Sequence, residues 1–180
     1  IDEIMEYNRK FVENKGYEPY LTSKYPDKKL AILTCMDTRL LELLPAALGI
    51  KNGDAKIIKN AGGVIVHPYG SVVRSLLVGI LELGVEEVMV IGHTDCGVQG
   101  MDGSEMLDML VERGIDQQHI DIVRHSGIDL ERWLGGFESV ESSVHETVRR
   151  LKEHPLMPKD VRISGFIMDS ATGELTRVEE

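Results

Sequence analysis

Three short apolar runs, each leading through a turn into a stretch patterned for a helix, set the strongest limit on what this chain can fold into. The runs are "KKLAILTC", "DAKIIKNAGG" and "EEVMVIGH". Each has the length of a buried strand rather than of a helix. Between the first two lies "RLLELLPAALG", whose leucine spacing predicts a helix ended by Gly49. Between the second and third lies "GSVVRSLLVGILELG", a strongly apolar helix with Ser71 as its N-cap and Gly84 past its end. Strands separated in this way predict parallel pairing, because parallel neighbours need a crossover connection. The expected class is α/β, a mainly parallel central sheet flanked by helices on both faces.

The rest of the chain extends this plan. "IDEIMEYNRKFVENKGYEPY" reads as an amphipathic helix, and a further helix is expected from Ser104 to Arg113. "GIDQQHIDIVRHSGIDLERWLGGF" has mixed signals and reads as irregular with short helical pieces. "SVESSVHETVRRLKEHP" is a capped helix that stops at Pro155. "DVRISGFIMDSATGELTRVEE" then predicts a strand, a turn at "SATG" and a short returning strand, an antiparallel edge. With no repeat, low-complexity tract or linker, the expectation is a single domain over residues 1–180.

Composition narrows the partners. At 180 residues and 42% hydrophobic content the chain can bury a real core. Thirty acidic against 20 basic residues give a net charge of -10, which repels phosphate backbones and anionic lipid, so nucleic acid is not expected. No apolar run approaches the roughly 18 residues a membrane span needs, so no membrane partner is expected either. The first residues lack a secretory pattern, and a cytoplasmic location is expected.

The two cysteines, Cys35 and Cys96, leave three readings on composition alone: a disulfide, two inert core thiols, or metal ligands. Their placement favours the last. Cys35 follows the first strand in "ILTCMDTRL", and Cys96 follows the third in "MVIGHTDCGVQG". Open parallel sheets gather ligand sites at the carboxyl ends of strands, so the two loops can converge. His93 and Cys96 have a spacing that can turn both toward one point, and Cys35 completes a Cys₂His set. Three protein ligands with an open fourth position are the pattern of catalytic zinc, whereas structural zinc is closed by a fourth Cys or His.

Asp37 is the remaining potential ligand, and Arg39 offers a planar fork matched to its carboxylate. On an extended stretch Cys35, Asp37 and Arg39 face one side. A free Asp beside zinc coordinates it, while one held by Arg39 accepts a hydrogen bond from the bound water. Asp95 either tunes the metal from behind or caps a turn. "NAGG" matches neither phosphate-loop spacing and reads as a glycine turn giving backbone room near the site. His67, His119, His125, His145 and His154 have no such company and read as surface or satisfied histidines.

"CMDTR" followed by "HTDCG" resembles the C-x-D-x-R … H-x-x-C signature of β-class carbonic anhydrases, and the likeness extends through "GDAKIIKNAGG" and the apolar helix after it. The smaller, archaeal-type branch is the nearer match. The resemblance implies zinc held by Cys35, His93 and Cys96, with Asp37 paired to Arg39 as water partner or serving as fourth ligand. It implies reversible hydration of carbon dioxide to bicarbonate through metal-bound hydroxide. It also implies a homodimer or dimer of dimers, with the N-terminal arm, residues 1–25, packing on a partner subunit. Two alternatives stand beside it: a related zinc hydrolase of carbon disulfide-type molecules, and a non-catalytic zinc protein closed by Asp37. A thiol enzyme is the weaker rival, since Cys35 to Arg39 is too short for a Cys-x₅-Arg phosphate loop and neither cysteine has a C-x-x-C partner.

Overall fold

The computed structural model describes residues 1–179. Among them, five strands form one sheet in the order β2-β1-β3-β4-β5. They are β1 (Leu30–Cys35), β2 (Ala55–Asn60), β3 (Glu87–His93), β4 (Arg162–Met168) and β5 (Leu175–Arg177). The first four run parallel, and β5 returns antiparallel on β4 with Met168 opposite Leu175. The expected mainly parallel sheet with an antiparallel edge strand is therefore observed.

From β1 the chain crosses one way to β2 and then back to β3 on the other side. That reversal opens a crevice beyond the carboxyl ends of β1 and β3, where Cys35 and His93 stand.

Alternation along the strands sorts the core onto two faces. Ala31, Leu33, Val88 and Val90 meet Val72, Val73 and Leu76 of helix α3 (Ser71–Leu83) and Val144, Val148 and Leu151 of helix α7 (Val140–Glu153). Ile32, Ile91 and Met168 face the other way and are covered by Leu40 and Leu44 from the segment after β1. Burying each such side chain contributes about 1.5–3 kcal/mol.

Several elements depart from the sequence reading for definable reasons. The expected helix after β1 is broken into a 3₁₀ turn, Thr38–Leu40, and a short α2, Leu43–Ala47. Pro45 has no amide hydrogen and fits an α-helix only in the first turn, so α2 cannot begin much earlier. Gly49, at φ 62°, stops it as expected. Ser71 is not the N-cap of α3: Gly70 holds that position in an extended conformation, and no side chain caps the helix. Gly84 closes it in the left-handed region as read.

The stretch 115–136 is more ordered than its mixed pattern suggests. It holds α5 (Gln117–His125), capped by Asp116, and the short α6 (Leu130–Leu134), capped by Asp129. With α4 (Gly103–Glu112) they bury Leu107, Ile120 and Leu130 in a small cluster apart from the sheet. Helix α1 (Asp2–Glu13) is amphipathic as expected, yet no residue of it is buried among the described residues. Among the described residues no helix is long and apolar enough to cross a membrane.

Gly165 on β4 lies under α7. A Cβ there would stand 2.7 Å from Val144 Cγ1 and 3.2 Å from Val148 Cγ2. Both neighbours are β-branched and stiff, so α7 would have to lift. Gly165→Ala is expected to lower unfolding free energy by about 1–3 kcal/mol, measured by urea titration.

Candidate metal centre

Each side chain of the site is placed by a strand end and held by backbone contacts. Thr34, buried, donates its hydroxyl to Ile91 O at 2.8 Å and staples β1 to β3 one residue before Cys35. Beyond β3, Thr94 N donates to Met168 O at 3.0 Å, and Ser170 N donates to Thr94 Oγ1 at 3.0 Å. The loop carrying Cys96 is thus tied to the end of β4.

The side chains of Cys35, His93 and Cys96 then converge, with one donor atom from each lying within 4.8 Å of the others. All three residues are buried. The sulfurs stand 3.9 Å apart as free thiols, which excludes the disulfide reading. Gly62 N points at Cys35 Sγ from 3.4 Å, and the Val98 amide hydrogen-bonds to Cys96. Burial pushes the Cys96 thiol up, with Cys35 and Asp37 adding to the effect, so two adjacent thiolates need a compensating cation.

His93 supplies the sharpest sign. Its Nδ1 lies 2.9 Å from Thr94 O, a carbonyl that can only accept, so Nδ1 carries the proton and Nε2 presents a lone pair. Among the described residues, that Nε2 is the one buried side-chain polar atom without a hydrogen-bond partner. An orphaned acceptor beside two sulfurs fits a soft or borderline divalent cation such as zinc.

Asp37 and Arg39 pair as expected, although not by strand alternation. Asp37 is the N-cap of the 3₁₀ turn and accepts Arg39 N at Oδ1, 2.9 Å away. The turn folds Arg39 back so that Nε reaches Oδ1 at 3.0 Å and Nη2 reaches Oδ2 at 2.8 Å. This guanidinium contact, above all, holds the Asp37 carboxyl well below the usual carboxylate range. Asp37 Oδ2 lies 3.8 Å from His93 Nε2, at the edge of the donor set.

Other features lay outside the sequence reading. Arg39 also reaches Asp95, with Nη1 at 2.8 Å from Oδ2 and Nη2 at 2.7 Å from the backbone carbonyl. Lys59 of β2, in register with Thr34, points its ammonium at Leu40 O, 3.3 Å away. Burial pulls its pKa down, opposed by the charges of Cys35 and Asp37. A lysine at the end of a half-buried strand was the available signal. Val98 and Phe137 pack into the cluster that holds both cysteines, and no pattern in the sequence marks them.

The glycine turn is as read, and closer to the site than expected. Asn60 brackets it by donating Nδ2 to Val64 O and accepting Val64 N at Oδ1. Gly63, at φ 66°, passes so near β1 that a Cβ would lie 2.9 Å from Thr34 C. None of the other histidines joins the cluster. His154 is buried but satisfied, its Nε2 bonded to Pro68 O and its Nδ1 accepting Leu156 N.

The chain is similar to several known proteins. The family model described as carbonic anhydrase matches residues 30–175. A Bacillus subtilis protein provisionally named a carbonic anhydrase is 52% identical over 172 residues, covering 96% of this chain and 87% of the relative. The crystal structure of β-carbonic anhydrase isoform I from Trichomonas vaginalis superposes with a TM-score of 0.88 at 34% identity, covering 98% of this chain and 96% of that one. A carbon disulfide hydrolase from Saccharolobus solfataricus is 32% identical over 163 residues, covering 84% of this chain and 78% of the relative.

If the three donors form the metal site, their loss should show in metal content. Protein purified with zinc is expected to hold it stoichiometrically by elemental analysis, and Cys96→Ser to lose most of it while keeping the far-ultraviolet circular dichroism of the parent.

Proposed function

Because the chain belongs to the β-class carbonic anhydrases, we propose that Cys35, His93 and Cys96 hold the zinc of a carbonic anhydrase that interconverts carbon dioxide and bicarbonate. The observation that carries this reading is the buried, unpartnered Nε2 of His93 facing the two sulfurs. Zinc, when bound, supplies activation of water, lowering its pKa from about 15.7 to about 7, on the order of 12 kcal/mol. The protein's own groups orient what the metal activates.

Asp37 is the orienting base. Its Oδ1 is taken up by two Arg39 donors, while Oδ2 receives one and keeps a lone pair on the side of His93. Oδ2 accepts the hydrogen of the attacking water and turns its oxygen toward the substrate. Arg39 keeps Asp37 ionised and fixed in the plane of its fork. Released from Arg39, the same oxygen could be the fourth ligand of a closed site, the arrangement a non-catalytic zinc protein would keep. Val98 and Phe137 give the thiol side of the site apolar walls, suited to a small neutral molecule.

Carbon disulfide hydrolysis is the second reading, favoured by the named relative at 32% identity. Both substrates are linear and uncharged. Stopped-flow hydration with a pH indicator, beside a hydrogen sulfide assay, separates the two. Zinc-loaded protein should hydrate carbon dioxide far above buffer and release little sulfide. Background hydration with full zinc at alkaline pH would sink the proposal. Asp37→Ala is expected to retain zinc and to lose roughly 10²–10⁴-fold in kcat, the usual range for a positioned acid or base.

We also propose that the enzyme is a homodimer or dimer of dimers in which the arm of residues 1–25 packs on a partner subunit. Ile4, Met5, Tyr7 and Val12 are exposed on α1, and its charged residues pair with one another on the opposite side. Such an apolar stripe needs cover. Two free thiols kept as ligands suit a reducing compartment, and the cytoplasm is the proposed location. Replacing Ile4 and Met5 together by Glu should reduce the mass found by light scattering to that of the monomer.

A further inference from the structure

We propose that Asp95 is a positioning residue of this centre: through Arg39 it ties the loop that carries Cys96 to the loop that carries Asp37. The inference rests on the zinc-enzyme reading and adds a residue that the C-x-D-x-R … H-x-x-C pattern does not contain.

The case begins with the backbone. Asp95 has φ 54°, the left-handed region that glycine enters freely and other residues enter at a cost. A glycine would build this turn more easily. The side chain at this position must therefore be read by what it reaches. It reaches one group: Arg39 Nη1 lies 2.8 Å from Asp95 Oδ2, and Arg39 Nη2 lies 2.7 Å from the Asp95 carbonyl. The other edge of the same guanidinium holds Asp37.

The neighbours of Asp95 have different anchors. Thr94 is fixed to Met168 and Ser170, and its carbonyl receives His93 Nδ1. Cys96 brings its sulfur to the metal position. Asp95 is thus a side-chain link between the β3 loop and the β1 loop. Because the guanidinium is a rigid plane, a shift at the Asp95 edge is passed to the Asp37 edge. That edge sets where Asp37 Oδ2 stands, 3.8 Å from His93 Nε2.

The Asp95 side chain is 86% exposed, so its pairing adds little to global stability, and its removal should leave the fold intact. Geometry, rather than stability, is what it supplies.

The test uses Asp95→Gly, which removes the carboxylate and relieves the backbone, and Asp95→Asn, which keeps an acceptor and tolerates the left-handed region. Each is compared with the parent as the zinc enzyme and as the cobalt(II)-substituted protein. In Asp95→Gly kcat should fall roughly fivefold, the rate equivalent of about 1 kcal/mol, with KM, metal content and thermal midpoint unchanged. The visible absorption bands of bound cobalt should shift in Asp95→Gly. Asp95→Asn should recover most of both. Unshifted cobalt bands in Asp95→Gly, or an Asn variant as altered as the Gly variant, would overturn the proposal. A parent protein without hydration activity would instead reject the carbon dioxide reading, and the cobalt bands would still decide the role of Asp95.

Discussion

Two buried sulfurs 3.9 Å apart, facing an imidazole nitrogen that has no partner, form a set that only a cation balances. Ionising the Cys96 thiol in that setting is opposed by burial and by the other sulfur. A divalent ion reverses the sign of the local field and turns the same burial from a penalty into a source of affinity. The Gly62 and Val98 amides already point at the sulfurs, so the surroundings are arranged for thiolates. The rest of the architecture serves this convergence. Cys35 and His93 close adjacent parallel strands, and the Thr34 hydroxyl locks those strands together just before they end.

The second constraint is the closeness of the backbone around that point. Gly63 runs so near β1 that a side chain there would strike the Thr34 and Cys35 backbone, and its positive φ excludes most residues independently. Only with this turn pressed against the strand can Gly62 offer its amide to Cys35. Asn60 holds the turn through both its bonds to Val64, so a local side chain and the close approach to β1 together set its form.

What was legible in the sequence is what depends on short range. Strand identity, the parallel class and the convergence of Cys35, His93 and Cys96 follow from apolar runs and from cysteines standing at strand ends, and the sheet order then brings the ends together. The Asp37–Arg39 pair was legible too, but its cause was not. Extended alternation would have aligned the two, whereas a 3₁₀ turn capped by Asp37 itself folds Arg39 back. Pro45 was visible, and its demand for the first turn of a helix explains why α2 is short. Asp95 lay between two readings because its partner is 56 positions away, and nothing local to "HTDCG" announces a long-range ion pair. Lys59 was hidden for the same reason: its neighbour Leu40 belongs to another strand's loop.

Charge around the centre gives the arrangement its chemical sense. Two thiolates balance a divalent ion, and the carboxylates of Asp37 and Asp95 both meet Arg39, while the Lys59 ammonium stands nearby at Leu40 O. The protein at large is strongly acidic, at -10. A neutral linear molecule experiences neither attraction nor repulsion from such a surface and enters an apolar-walled site on size and shape. An anion formed there meets a surrounding field that favours its departure. In this design the cations do not serve to bind the product tightly. Arg39 is spent on two acids and Lys59 on a carbonyl, so on the proposed mechanism the polar residues around the metal are left to orient water rather than to capture an anion.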